Sequence, residues 1–265
     1  MNIFEAIILG VVQGLTEFLP ISSSGHLVLL QKMLGIDEPT ILFDTMLHVG
    51  TLIAVFAVLW QDVWKLLKKP FQKMTGLLII ATIPTVIFAL LFNDFIEDAF
   101  HSARFLGFEF LITAAALIIA EFLSRRAGET KDEEKMNWLD ALIIGVMQAL
   151  SIIPAVSRSG MTLSGALSRK LDRGLAARFS FLMSIPAILG ALVFQSKDLI
   201  GGEVSLGIGI LPMIAGVVSA ALVGFLAIRF MLKIVKERSL VGFAIYVAIL
   251  GVLIIIDQFA VHVFF

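Results

Sequence analysis

Asn2-Ile3-Phe4-Glu5-Ala6-Ile7-Ile8-Leu9-Gly10-Val11-Val12-Gln13 is answered 135 positions later by Asn137-Trp138-Leu139-Asp140-Ala141-Leu142-Ile143-Ile144-Gly145-Val146-Met147-Gln148. Two oily helices can agree by chance where isoleucine stands for leucine. These also agree at Asn, Gly and Gln, and the same offset carries Ser22, Ser24 and Gly25 onto Ser157, Ser159 and Gly160. Polar identities held in register point to an internal duplication, with repeat one at 1–128 and repeat two at 137–265.

The rest of the chain says where such a duplication would live. Of the 265 residues, 59% are hydrophobic and 15% charged, and the mean hydropathy is +1.00. A soluble domain carries about 25% charged residues. Thr75–Phe92, Phe179–Ser196, Val204–Ile228 and Ser239–Ile256 hold no charge at all, and each is at or near the roughly 17–25 residues a bilayer requires. The composition therefore predicts an all-α integral membrane protein. A net charge of −1 gives no pull toward nucleic acid, and the absence of cysteine excludes disulfide and thiolate chemistry. The N-terminus has no basic stretch and no small-residue cleavage site, so it reads as mature chain and not as a signal peptide.

Each half begins with its motif stretch and continues with about three long apolar segments. These centre on 42–60, 74–93 and 105–123 in the first half, and on 176–195, 206–228 and 239–257 in the second. Three crossings is an odd number, so the second half should enter the membrane upside down. Basic residues test this. Lys65, Lys68, Lys69 and Lys73 form one group, and Arg125, Arg126, Lys131 and Lys135 a second. Arg169, Lys170, Arg173 and Arg178 make a third, and Arg229, Lys233, Lys236 and Arg238 a fourth. The other connections hold only Lys32, Arg104 and Lys197, beside Asp37, Glu38, Asp94, Glu97, Asp98, Asp198 and Glu203. Placing the four groups in the cytoplasm is self-consistent only if residues 2–34 dip in from outside and return, while 137–170 dip in from inside. The expected fold is two inverted-topology repeats, each a re-entrant helical hairpin plus about three transmembrane helices, giving about six spans. The sequence sets no oligomeric state.

One basic residue is left over from the tally: Arg158, at the tip of the second hairpin. A guanidinium at that depth costs several kcal/mol unless paired or wetted, and it marks function before it marks structure. Ser157, Ser159 and Gly160 surround it, and a helix begins just beyond with Met161 and Thr162. Hydroxyls, free N–H groups at a helix start and an arginine fork make an anion site. Gly160, Ser164 and Ser168 recur every four residues, which suits close helix packing.

On the first tip, Ser22-Ser23-Ser24-Gly25 precede a helix over His26–Leu34. Capping needs one hydroxyl and leaves two for other work. Glu17 lies one helical turn beyond Gln13, so the two share a face. The pair could hold Mg²⁺ or Ca²⁺ through oxygen. A lone glutamate there could equally relay protons or pair with Arg158. His26 joins Glu17 and Ser23 at the same tip. Asp44 and His48, at i and i+4 on the third segment, are divided evenly between helix packing and lining the same cavity. Glu109 and Glu121 are expected at interfaces, and His101 and His262 in or near outer connections.

These residues resemble the undecaprenyl-diphosphatases of the bacitracin-resistance type over essentially the whole chain. The resemblance rests on Gln13-x-x-x-Glu17 with Ser22-Ser23-Ser24-Gly25-His26, and on Pro-x-x-Ser-Arg-Ser-Gly-x-Thr from Pro154 to Thr162. The family pattern generally has glycine after that proline, where this chain has Ala155; its first carboxylate position varies between Glu and Gln. The resemblance implies hydrolysis of undecaprenyl diphosphate to undecaprenyl phosphate and inorganic phosphate, with a divalent cation. The setting would be the bacterial plasma membrane, with the site open to the outer face. It makes Glu17, Ser23, His26 and Arg158 the catalytic candidates. Ser22, Ser24, Gly25, Ser157, Ser159, Gly160 and Thr162 become the phosphate-binding ones, with Glu17 and Gln13 as cation ligands. Ser23 could attack with His26 as base, His26 could attack directly, or either could orient water. The partners would be a polyprenyl diphosphate lipid and membrane lipids, with no nucleic acid. The rival reading is a transporter or flippase for an anionic polyprenyl lipid, which needs the anion pocket but neither base nor metal.

Overall fold

The computed structural model describes residues 1–36, 41–92, 96, 105–126, 128–200 and 208–264. Asp37, Glu38, Asp94, Glu97, Asp98, His101, Arg104 and Glu203, expected in outer connections, lie outside the described residues.

Helix α1 (Ile3–Thr16) starts where Asn2 and Glu5 form a reciprocal capping box. At 14 residues it extends about 21 Å, too short for a hydrocarbon core of about 30 Å. After a tight turn, α2 (Ser23–Met33) runs for 11 residues. The second motif stretch builds the same object. Its helix, named α7 in chain order (Trp138–Leu150), is opened by a capping box of Asn137 and Asp140. It is followed by α8 (Arg158–Ser168). Both short helices start three residues earlier than their sequence suggested. The reason is local: Ser22 and Ser157 accept the N–H groups of Gly25 and Gly160, so capping begins there.

Between and after these hairpins lie the long apolar helices. Among the described residues five are long and apolar enough to cross a membrane: α5 (Lys73–Leu91), α6 (Leu106–Arg126), α9 (Arg173–Ile200, by its 173–193 part), α10 (Ile210–Glu237) and α11 (Val241–Ile256, with its π-helical extension to Val261). The segment expected at 42–60 is α3 (Ile41–Val58), which turns through 81° into α4 (Trp60–Lys68), so the count reaches six if that bent pair is one span. Helix α4 buries no residue. It stacks Trp60 on Trp64 and lays Lys68 over the Trp64 ring, an aromatic and basic pairing suited to a membrane interface. Leu91, Leu222 and Leu226 stay exposed on candidate spans, where lipid replaces water as the neighbour. The protein is an all-helical, multi-pass membrane protein.

Glycines set how closely the hairpins are gripped. A Cβ on Gly10 of α1 would lie 2.3 Å from the Gly216 carbonyl oxygen of α10, and one on Gly145 of α7 would lie 2.2 Å from that of Ala81 in α5. Helix α1 thus lies against α10, and α7 against α5, backbone to backbone. At the base of the second hairpin, fully buried Asp140 accepts from Lys131 Nζ at 2.8 Å and from Arg169 Nε at 2.8 Å.

Glu109 and Glu121, expected at membrane interfaces, are both buried within the protein. Glu121 is drawn inward because Arg125, Arg173 and the Leu240 N–H all donate to it.

Candidate active site

The two hairpin tips meet. Glu17, at the end of α1 and 6% exposed, receives Arg158 Nη2 from α8 on its Oε1 at 2.5 Å. Its Oε2 accepts from Ser23 Oγ at 2.6 Å and from Gln13 Nε2 at 3.0 Å. The guanidinium is fixed further by Nη1 donating to the Ser180 carbonyl at 3.2 Å. One carboxylate therefore joins the two halves and orients a hydroxyl on its other oxygen. Around it, Ser159 Oγ donates to the Leu19 carbonyl at 2.9 Å, and the Ala155 N–H donates to Ser24 Oγ at 3.3 Å. A Cβ on Gly25 would come within 2.9 Å of the Ala155 Cβ and 2.5 Å of the Phe110 ring. Only glycine lets the tips approach this closely.

The backbone there is held in costly conformations. Ser22 has φ +70° and Ala155 φ +55°, a region that disfavours any residue with a Cβ by about 1–2 kcal/mol. Both sit in the turns that present the site.

The serines divide their labour. Ser22 caps α2 and Ser157 caps α8. Ser24 and Ser159 bond across to the other hairpin. Thr162 Oγ1 hydrogen-bonds the Ser180 hydroxyl at 2.6 Å, and Gly160 packs on its own cap. Ser23 alone of these hydroxyls is aimed at the carboxylate.

Neither ring nitrogen of His26 bonds to Ser23. Its Nδ1 lies 2.6 Å from the Ser22 carbonyl, which can only accept, so Nδ1 carries the proton and Nε2 is left to accept from the Tyr246 hydroxyl at 2.8 Å. The ring stacks on Tyr246 and meets Phe110 edge-on. It stands at the mouth of a groove of about 570 Å³ lined by Val12, Leu15, Leu19, Ile21, Phe243 and Tyr246, among others.

The sequence model described as "Bacitracin resistance protein BacA" matches residues 6–253. The chain belongs to the BacA family. It is 48% identical over 261 residues to an undecaprenyl-diphosphatase of Carboxydothermus hydrogenoformans, covering 98% of this chain and 99% of that one. It is 47% identical over 264 residues to undecaprenyl-diphosphatase 4 of Bacillus thuringiensis, covering 100% of both. A further undecaprenyl-diphosphatase, from Alkaliphilus metalliredigens, is 43% identical over 276 residues.

Ala155, where the BacA pattern generally has glycine, now has a physical reading: its left-handed φ is the conformation glycine adopts freely. Sequence reasoning left His48 undecided between packing and cavity. Its Nδ1 lies 2.7 Å from the Asp44 carbonyl of its own helix and its Nε2 3.4 Å from Glu17 Oε2. Thr113, which accepts from the Ser157 N–H at 3.0 Å, and Ser180 gave no signal, being ordinary polar residues within spans. Tyr246 offered a faint one as the chain's single tyrosine.

A cation of the kind associated with this BacA-type motif can be tested against the donors present. Among the described residues no three His, Cys, Asp or Glu side chains cluster to hold a metal ion. Gln13, however, meets Glu17 through Nε2, and its Oε1 is buried without a hydrogen-bond partner. With its amide turned over, Gln13 would set an oxygen beside the Glu17 carboxylate, and hard divalent cations accept few protein ligands when phosphates complete the shell. The residues fit.

Proposed function

We propose that this chain hydrolyses undecaprenyl diphosphate to undecaprenyl phosphate and inorganic phosphate, recycling the lipid carrier of cell-wall synthesis and conferring bacitracin resistance. One observation carries the mechanism: Ser23 Oγ already donates to Glu17 Oε2, while Arg158 holds the other oxygen of the same carboxylate. Ser23 Oγ attacks the terminal phosphorus, its proton passes to Glu17, and undecaprenyl phosphate departs. Water then attacks the seryl phosphate: Glu17 returns its proton to Ser23 Oγ as that oxygen leaves, takes the proton of the attacking water, and passes it on to the departing phosphate, which restores the carboxylate. Phosphoryl transfer asks the protein mainly for positioning and charge neutralisation. Arg158 supplies a fork for the phosphoryl oxygens, and it is the first residue of α8, where helix-start N–H groups favour an anion. Gln13 and Glu17 would hold a divalent cation, Mg²⁺ or Ca²⁺, which would neutralise diphosphate charge. The polyprenyl chain lies in the apolar groove beside His26 and Tyr246, continuous with the tip that carries Ser23.

The architecture is read here as two inverted repeats with the site open to the outer face of the plasma membrane. Exchanged contacts support it. Gly10 meets Gly216 and Gly145 meets Ala81; adding 135 to 10 and to 81 gives 145 and 216. The short helices α1 and α7 support re-entry by their length.

The test is phosphate release from undecaprenyl diphosphate in detergent, where no gradient exists. Ser23→Ala and Glu17→Gln, with folding checked by thermal unfolding, should lose at least about a hundredfold in rate, the scale of a lost transition-state contact. Unchanged release in Ser23→Ala would remove it as nucleophile. Lipid binding by the unaltered protein with no release at all would favour the carrier reading.

A further inference from the structure

His48 of α3 faces the carboxylate in a way that a simple ion pair does not explain. Its Nδ1 lies 2.7 Å from the Asp44 carbonyl, an acceptor only, so Nδ1 carries a proton and the ring is held by its own helix. Asp44 is itself gripped by Gln31 Nε2 at 2.8 Å, which ties α2 to α3 at this point. The other nitrogen, Nε2, points at Glu17 Oε2 from 3.4 Å. That is longer than the 2.7–2.9 Å of a charge-assisted N–H···O bond. It is, however, the spacing of two donors sharing one ion through bonds of about 2.0–2.2 Å. Gln13 donates its Nε2 to that same Oε2 at 3.0 Å while its Oε1 is buried without a partner, so turning the amide over would bring its oxygen to the carboxylate. An imidazole lone pair and a carboxylate oxygen thus converge from α3 and α1, with the Gln13 amide beside them.

We propose that His48 is the third protein ligand of the divalent cation, and that its nitrogen gives the site a preference for Mn²⁺ over Ca²⁺. The proposal rests on the reading that Gln13 and Glu17 bind a cation. Imidazole suits first-row transition ions, whereas Ca²⁺ takes oxygen donors. The Nδ1–H bond to Asp44 presents Nε2, as second-shell partners do in metal sites.

The experiment uses Mn²⁺ alone, added to the full-length protein in detergent and followed by electron paramagnetic resonance. Mn²⁺ bound to protein carrying ¹⁵N-labelled histidine should show coupling to one imidazole ¹⁵N. That coupling should vanish in His48→Gln and His48→Asn, with Mn²⁺ affinity falling at least about tenfold and Ca²⁺ affinity changing much less. Bound Mn²⁺ without imidazole coupling, or coupling that persists in both variants, overturns the role of His48 while leaving the cation site intact. Absence of Mn²⁺ binding, with phosphate release undiminished by chelator, overturns the cation site itself and His48 with it.

Discussion

At the scale of single residues, Glu17 is the shared object of Arg158, Ser23, Gln13 and His48, and each neighbour uses it differently. What the sequence disclosed was the set of chemical types; what it withheld was direction. Nothing in a string of three serines says that Ser22 and Ser24 serve the backbone and the opposite hairpin while Ser23 meets the acid. That outcome depends on Ser22 taking a left-handed turn. His26 lies one turn along α2 from Ser23 and on the same face, yet its ring nitrogens bond to the Ser22 carbonyl and to Tyr246 on the last span. Backbone strain yields a prediction here. Ala155→Gly should relieve part of the positive-φ cost at the second tip and stabilise the protein by up to ~1 kcal/mol. The midpoint of thermal unfolding in detergent should rise by roughly 2–4 °C. A fall would show that the Ala155 methyl contributes more by packing than its backbone loses.

At the scale of elements, the capping boxes at Asn2 and Asn137 and the break after each short helix were readable, because caps and turns are local chemistry. The 81° bend between α3 and α4 was not, since apolar periodicity runs into Trp60 without a proline or glycine to announce it. The glycines of α1 and α7 were legible as identities in a repeat but not as contacts. Their partners, Gly216 and Ala81, are remote in sequence. Gly145→Val should push α7 off α5, because its Cβ would enter the Ala81 carbonyl, which cannot swing aside as a side chain could. Overpacking of this kind costs about 1–3 kcal/mol. We expect a lower unfolding midpoint and reduced phosphate release together. Full activity with an unchanged midpoint would mean the two helices are not locked as described.

For the whole molecule, hydropathy alone gave a multi-pass membrane protein, because a bilayer admits few solutions for a chain this apolar. Five of the six expected segments are long apolar helices and the sixth is the bent pair. Charge bias predicts an orientation, and the absence of cysteine makes it directly measurable. Single-cysteine variants Asn2→Cys and Lys135→Cys should react with a membrane-impermeant thiol reagent from opposite sides of intact cells: Asn2→Cys from outside, Lys135→Cys only after permeabilisation. Labelling of both from one side would remove the opposed hairpins.

The bond from Arg158 to Glu17 has a consequence for how the protein could be cut and rebuilt. Guanidinium and acid come from separate stretches of chain, so a fragment ending near residue 128 and another beginning near 137 would each be chemically mute. Co-produced in one bilayer, the two pieces would have every atom of the reaction centre between them. On the proposed mechanism, catalysis belongs to the seam and to neither piece.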